Sequence, residues 1–246
     1  MPTIVIVIQI LLTASLSAAA REGPMVAVAS NFTGAMEKIA AVYENERGGE
    51  VRTVYSSTGK LYAQIRMGAP YDIFLAADSR RPELLAEEGW CEEPFVYATG
   101  EAVLWTKNKS LNDEKSWQAA LTAAGAAKIA ISAPEIAPYG AAAISALTET
   151  GAIKKVKDKL VYGQNVAQAF QYAYHGSAGL GFTALSLARS GKGLEGKYWP
   201  IPEAPPIIQK GCVVAKKGEK AKAIAAFLKF FRSGEARAVL EDFGYK

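Results

Sequence analysis

One structural unit recurs along this chain and limits the folds open to it. The unit is a short apolar run, a turn that contains Ser, Thr, Asn or Gly, and a segment with apolar residues three and four apart. In its first copy the apolar run covers residues 26–29 and the helical spacing covers residues 35–43, with Ser30 and Asn31 between them. Such runs predict strands and such spacing predicts amphipathic helices, so the sequence predicts an α/β fold.

Three further turns of this kind follow strand-like runs later in the chain. They contain Ser57 and Thr58, Pro138 and Tyr139, and Asn165 and Val166. The first N–H groups of a helix have no partner within it and lie at the positive end of the helix dipole. One such turn alone is explained as an ordinary helix cap, whereas four turns at strand ends indicate a site for a small ligand.

The chemistry of the four turns indicates which ligand this site would take. They supply hydroxyl, amide and main-chain N–H groups, but no Asp, Glu or His. Many donors and few acceptors match a fully ionised tetrahedral oxyanion, held by charge-assisted hydrogen bonds worth about 1.5 to 3 kcal/mol each. Phosphate keeps a proton near neutral pH and requires an acceptor. The donor set therefore favours molybdate, tungstate or sulfate.

The sequence contains no evident constellation for catalysis or for a metal ion. Asp72 and Asp78 are candidate acid or base groups, but a polar strand edge and a helix cap account for them. The single histidine, His175, stands at the end of a predicted helix without a nearby nucleophile. An enzyme of phosphate or sulfate esters would require a base for Ser57, and none is evident. We therefore predict a binding protein without a cofactor rather than an enzyme.

The first 20 residues predict export. An apolar run over residues 4–12 leads to three small residues that end at Ala20, as in a secretory signal. The run is short for a bilayer span, but a basic n-region is missing, so an uncleaved anchor is the alternative. No later stretch is long and apolar enough to cross a membrane. We expect cleavage near Ala20 and an exported mature chain.

Charge and cysteine content exclude two other classes. The net charge is +4, and the lysines of residues 154–159 lack the aromatic neighbours typical of a nucleic-acid interface, so no nucleic-acid partner is predicted. Cys91 and Cys212 have no spacing typical of a metal or redox site. In an oxidising compartment they form one long-range disulfide or remain two unpaired thiols.

Short motifs in a fixed order make the sequence similar to a known family. They are Ala29-Ser30-Asn31-Phe32, Ser56-Ser57-Thr58-Gly59 with Tyr62-Ala63-Gln64-Ile65, Gly68-Ala69-Pro70-Tyr71-Asp72, Ala76-Ala77-Asp78, Ile136-Ala137-Pro138-Tyr139-Gly140 and Leu180-Gly181-Phe182. Their order and spacing resemble those of the periplasmic molybdate-binding proteins of ABC importers. The likeness extends over residues 26–245.

The resemblance implies an α/β, two-lobed periplasmic binding protein fold of type II. Each lobe would be a mixed sheet flanked by helices, with the ligand in the interlobe cleft. Lobe I would comprise residues 25–100 and 207–246, and lobe II residues 101–206. The crossings near residues 97–101 and 203–208 would act as hinges when the lobes close.

The resemblance also carries ligand contacts onto particular positions. These are Ser30 and Asn31 in the first turn, Thr58 in the second with Ser57 as a further candidate, Tyr139 in the third through its N–H, and Val166 in the fourth through its N–H. Family members commonly have Ser where Thr58 stands, and this change keeps the hydroxyl. Some members place a tyrosine hydroxyl after the Leu-Gly strand. This chain has Phe182 and Thr183 there, so that contact is not expected.

The function implied by the resemblance is transport rather than catalysis. A monomeric periplasmic protein would capture molybdate, and tungstate of nearly equal size, by lobe closure and deliver it to the membrane permease of an ABC importer. Sulfate or another tetrahedral oxyanion is the first alternative ligand. An ester hydrolase is a rival of another class, and a ligand-sensing regulator is disfavoured by the export signal and by the absence of a DNA-binding segment.

Overall fold

The computed structural model describes residues 23–214 and 220–246, so the predicted export signal lies outside the described residues. The strands of the described part are β1 (Met25–Ala29), β2 (Arg52–Ser56), β3 (Ile73–Leu75), β4 (Phe95–Gly100), β5 (Ala102–Thr106), β6 (Ile129–Ser132), β7 (Leu160–Gly163), β8 (Leu180–Ala184), β9 (Lys197–Pro200) and β10 (Ile207–Val213). Its α-helices are α1 (Thr33–Arg47), α2 (Thr58–Arg66), α3 (Arg80–Glu87), α4 (Trp117–Thr122), α5 (Pro138–Glu149), α6 (Ile153–Val156), α7 (Val166–Tyr174), α8 (Leu185–Ala188), α9 (Ala221–Phe231) and α10 (Gly234–Asp242). None of the helices in this part is long and apolar enough to cross a membrane.

The first sheet, the centre of lobe I, has the strand order β2-β1-β3-β10-β4. Strand β1 is parallel to β2 and β3, and β10 is antiparallel to β3 and β4. Successive side chains of a strand point to opposite faces of a sheet. Val26 and Val28 accordingly pack in one core cluster with residues of α1, α9 and α10, and Ala27 packs with residues of α2 on the other face. Both faces are thereby covered by helices.

The second sheet, the centre of lobe II, has the order β7-β6-β8-β5-β9. Strand β6 is parallel to β7 and β8, and β5 is antiparallel to β8 and β9. Ile129 and Ile131 of β6 pack with residues of α4 and α5, and Ala130 packs with Ala169 of α7 on the opposite face. This lobe repeats the layered plan of lobe I.

The chain passes between the sheets twice. Strand β4 ends at Gly100 in the first sheet and β5 begins at Ala102 in the second, so the first passage is one residue long. The second passage joins β9 of the second sheet to β10 of the first through residues 201–206. The two mixed sheets with flanking helices confirm the predicted α/β two-lobed architecture. The predicted lobe boundaries, as limits of independent motion, remain a prediction.

The two lobes are in direct contact around the cleft. The N–H of Gly59 in lobe I donates to the carbonyl of Ile136 in lobe II at 2.9 Å. Arg81 Nη2 donates to the carbonyl of Glu135 across the same cleft at 2.7 Å. A Cβ on Gly59 would lie 2.9 Å from Ile136 Cα, so glycine permits this close approach. The structure is therefore a closed arrangement of the lobes.

Cys91 and Cys212 form a disulfide, which decides between the two states left open by the sequence. The bond joins the segment after α3 to β10, and both cysteines belong to the buried cluster beneath α2. Their Cα atoms are 5.9 Å apart, within the range that a disulfide requires. The bond therefore holds two distant parts of lobe I together.

Candidate functional site

A small cavity lies between the two lobes. Its walls come from the four polar turns and the end of β3, and the lining residues are Ala29, Ser30, Asn31, Ser57, Thr58, Ala77, Ala137, Pro138, Tyr139 and Val166. All six predicted ligand residues are in this set, although they are spread over more than half of the chain. The set includes no charged side chain.

The first wall is the turn after β1. Residues Ser30–Phe32 form a 3₁₀ helix, and Ser30 and Asn31 are 5% and 2% exposed. The Asn31 amide nitrogen donates to Gln209 Oε1 at 2.9 Å and to the Tyr245 hydroxyl at 3.0 Å. Its Oδ1 has no hydrogen-bond partner among the described residues. Because the amide N–H groups are already engaged, the donor that Asn31 can offer an anion is its main-chain N–H at the helix start.

The second wall is the start of α2, where two hydroxyl groups stand. Thr58 Oγ1 accepts a hydrogen bond from the N–H of Ala77 at 3.0 Å, and Ser57 Oγ accepts one from the N–H of Lys60 at 3.4 Å. Each hydroxyl acts there as an acceptor, so its own proton remains available for a ligand. The turn thus presents two hydroxyl donors and a helix N-terminus.

The third and fourth walls are the starts of α5 and α7 in lobe II. Tyr139 follows Pro138 in the first turn of α5, so its N–H is a donor without a partner inside the helix. Val166 is the first residue of α7, and the Asn165 side chain caps that helix by accepting from the Gln168 N–H at 2.9 Å. Lobe II therefore contributes main-chain donors from two helix starts.

A polar cluster behind the cavity was not predicted from the sequence. Gln209 is fully buried, and its Oε1 accepts from Tyr97 as well as from Asn31. The Tyr245 hydroxyl contacts the Asn31 carbonyl at 2.9 Å and Ser186 Oγ at 3.0 Å. A signal for Gln209 was present, since a lone amide in the apolar run of β10 requires a buried partner. Tyr245 gave no such signal.

Burial controls the protonation of the tyrosines in this cluster. It raises the pKa of Tyr97 and of Tyr139 well above the ordinary value, and it also raises the pKa of Tyr245. The loss of water around a phenolate is the largest cause in each case. All three hydroxyls therefore stay neutral across the physiological range.

The remaining candidate residues lie outside the cavity lining. Asp72 Oδ2 accepts from the Met25 N–H at 2.8 Å, and Asp78 Oδ1 accepts from the Arg81 N–H at 3.0 Å. These are the strand-edge and helix-cap roles that the sequence indicated. His175 follows α7 and lines a separate surface groove. Phe182 is buried against Trp117 and leaves no hydroxyl at the cavity.

The chemistry open to this cavity is binding by hydrogen bonds. Within residues 23–214 and 220–246, no group of three or more His, Cys, Asp or Glu side chains could hold a metal ion. The lining offers Ser57 as a nucleophile but no side chain that could act as its base. What it does offer is hydroxyl and N–H donors that converge on a small volume, as a tetrahedral oxyanion requires.

Two lobes that close around a small buried cavity define the class of solute-binding proteins. The chain belongs to the family of bacterial extracellular solute-binding proteins, whose family model matches residues 24–246. It is 39% identical over 225 residues to the molybdate-binding protein ModA of Azotobacter vinelandii, and this match covers 89% of the chain and 88% of the relative. It is 35% identical over 236 residues to ModA of Rhodobacter capsulatus, which covers 94% and 90% of the two chains.

Solved structures agree with this assignment. The periplasmic molybdate-binding protein of Azotobacter vinelandii matches with a TM-score of 0.84 at 33% identity, over 91% of this chain and 98% of that chain. The sulfate-binding protein SubI of Mycobacterium tuberculosis matches with a TM-score of 0.73 at 15% identity, over 92% and 86% of the two chains. The second match shows the shared fold alone. The resemblance inferred from the short motifs is confirmed by the first.

Proposed function

We propose that this protein binds molybdate, and tungstate with it, in the periplasm and delivers the anion to an ABC importer. The observation that carries the proposal is the closed interlobe cavity, which is lined by donors and has no charged side chain in its walls. Two relatives that are named as molybdate-binding, and that are 39% and 35% identical to this chain over the aligned residues, support the same ligand. Ser30, Asn31, Ser57, Thr58, Tyr139 and Val166 would hold it.

Neutral donors are sufficient for a dianion in such a site. Each charge-assisted hydrogen bond to an oxyanion contributes about 1.5 to 3 kcal/mol. Helix starts at α2, α5 and α7 add the positive ends of three dipoles. The lining has no charged side chain that could distinguish one dianion from another of equal charge. Selection among such dianions would therefore depend on the size of the closed cavity.

Capture and delivery follow from a change in the lobe arrangement. An anion would bind to the open cleft, and closure would bury it between the donors of both lobes. The crossing regions near residues 97–101 and 203–208, which include the ends of the adjoining strands, would serve as hinges. Export of a monomeric mature chain after cleavage near Ala20 would place it where a membrane permease can receive the anion. No cofactor or catalytic step enters this function.

Thermal unfolding with a panel of anions tests the proposal. At a ligand concentration of about 100 times the dissociation constant, binding adds roughly 2.7 kcal/mol to stability. A chain of this size gains about 2 to 4 °C in Tm per kcal/mol, so molybdate and tungstate should each raise the Tm by about 5 °C or more. Sulfate and phosphate at equal concentration are the matched controls and should give smaller shifts. Unchanged Tm with both molybdate and tungstate contradicts the proposal.

A further inference from the structure

We propose that the Tyr139 side chain is a positioning group that couples closure of the lobes to ligand binding. Tyr139 is the second residue of helix α5 of lobe II, where its N–H is a candidate ligand donor, while its hydroxyl reaches into lobe I. This inference rests on the proposed function, because it assigns a role in closing the same site. We call the contact between the Tyr139 hydroxyl and the Asn31 and Gln209 side chains the interlobe latch.

The latch joins the two lobes behind the cavity. Gln209 Nε2 donates to the Tyr139 hydroxyl at 3.2 Å, and Asn31 Nδ2 lies 3.4 Å from it. Both amides belong to lobe I, and Tyr139 itself is only 3% exposed. A buried hydroxyl that loses its partners is destabilised. Opening the lobes would break these contacts, and closing them would restore the contacts.

A glycine at the first passage between the lobes leaves room for the latch. A Cβ on Gly100 would lie 2.1 Å from the Tyr139 hydroxyl oxygen and 2.5 Å from Gln209 Nε2. Gly100 is not among the glycines with positive φ, so its backbone conformation does not require glycine. Glycine is therefore required at this position because a side chain would have no room. The Tyr139 hydroxyl occupies the space where a Cβ would lie.

Other residues of lobe I hold the Asn31 and Gln209 side chains of the latch in place. Gln209 Oε1 accepts from Asn31 Nδ2 and from the Tyr97 hydroxyl, each at 2.9 Å. Tyr97 also lies 2.9 Å from the carbonyl oxygen of Ala76, next to Ala77 in the cavity wall. The groups that contact the Tyr139 hydroxyl thus belong to lobe I alone. They are hydrogen bonded to two segments of lobe I that line the cavity.

Tyr139 carries both the hydroxyl of the latch and the N–H proposed to contact the anion. The contact between the lobes and the contact with the ligand therefore form together. Closure that brings Tyr139 to the cavity that Thr58 also lines places its hydroxyl against Gln209. Two interactions that form only in the same closed state stabilise that state jointly. Removing the hydroxyl should therefore weaken binding of the anion, although the hydroxyl itself is not proposed to touch it.

The test compares Tyr139→Phe with wild type and with Tyr71→Phe as a matched control. Tyr71 also hydrogen bonds through its hydroxyl, to Gln64 Oε1 at 2.9 Å, but this pair lies wholly within lobe I. Tyr139→Phe keeps the N–H and leaves Gln209 Nε2 without its acceptor, so molybdate affinity should fall about tenfold, mainly through faster release. Tyr71→Phe should keep the affinity within about twofold. Calorimetry and stopped-flow release measure both quantities.

A second variant acts on the same latch by steric exclusion. Gly100→Ala places a methyl group against the Tyr139 hydroxyl and should also lower the affinity at least about tenfold. In Tyr139→Phe/Gly100→Ala the part of the clash due to the hydroxyl is gone, so the combined loss should be smaller than the product of the single losses. Small-angle scattering should show the unliganded Tyr139→Phe protein with a larger radius of gyration than wild type.

The outcomes separate the latch from the proposed function. If wild type binds molybdate and Tyr139→Phe binds it with the same affinity and release rate, the latch has no role in binding, while the proposed function is unaffected. If the loss of affinity in the double variant equals the product of the two single losses, the two residues do not act through one contact. The inferred role of the latch is then also contradicted. If wild type binds no molybdate, the proposed function fails, and the latch fails with it.

Discussion

Thr58→Val should weaken molybdate binding by about one to two orders of magnitude, which is the loss of one charge-assisted donor in a site closed to water. Thr58 is 1% exposed at the start of α2, and its Oγ1 accepts from the Ala77 N–H at 3.0 Å. That bond orients the hydroxyl so that its proton faces away from Ala77 and can be donated to the anion. Val has nearly the same shape but no hydroxyl, so the loss is chemical rather than steric and includes the acceptor of the Ala77 N–H in the cavity wall.

Thr58→Ser is the matched control for this prediction. It keeps the hydroxyl and removes only a methyl group, so its affinity should stay within about threefold of wild type. Isothermal titration with molybdate gives the dissociation constant of each variant, and circular dichroism checks that both are folded. Equal affinity for Thr58→Val and wild type would show that the Thr58 hydroxyl is not a ligand donor.

Removing the disulfide should lower the stability of the folded chain more than any other substitution proposed here. Cys91 and Cys212 are separated by 121 residues, and the bond between them restricts a long loop of the unfolded chain. Cys91→Ala/Cys212→Ala should therefore lower the free energy of unfolding by about 2 to 5 kcal/mol. Neither cysteine lines the cavity, so molybdate affinity well below the Tm should not change.

Urea unfolding measured with and without a reducing agent tests this prediction. Reduced wild type and the double variant should unfold at the same lower midpoint, because both lack the same bond. Each single variant should behave like the double variant, since one cysteine cannot form the bond alone. A double variant as stable as oxidised wild type contradicts the proposed contribution of the disulfide.

The parts of the site that follow strands could be predicted from the sequence. Ser30, Thr58 and Val166 each come directly before or at a helix start, and the carboxyl ends of parallel strands meet at one edge of a sheet. Local patterns therefore identified the turns. That the turns from two separate sheets face each other was implied by the family resemblance and not by any local pattern.

The support behind the cavity could not be predicted in this way. The Asn31 side chain meets Gln209 and Tyr245, which are 178 and 214 residues away along the chain. No periodicity or spacing encodes such a contact, because it depends on how β10 and the end of the chain are placed in the fold. The need for glycine at Gly100 is of the same kind, since the nearest atom that a Cβ would meet, the Tyr139 hydroxyl oxygen, belongs to the other lobe.

Strand limits show where apolar pattern and structure differ. The apolar run of residues 71–77 predicts a longer strand than β3, which covers only Ile73–Leu75. Asp72 instead accepts from the Met25 N–H, and Ala77 turns to donate to Thr58. The ends of this run are therefore used for side-chain hydrogen bonds and for the cavity wall, and the regular ladder is correspondingly short.

A crystal structure of the mature protein with molybdate, using anomalous scattering from molybdenum, would show where the anion binds. We predict one anomalous peak per chain in the interlobe cavity, with anion oxygens at hydrogen-bond distance from the Thr58 hydroxyl and from the N–H groups of Tyr139 and Val166. Crystals grown with sulfate in place of molybdate are the control. A molybdenum peak at any other position, or contacts from one lobe only, would show that the anion is not held between the two lobes as proposed.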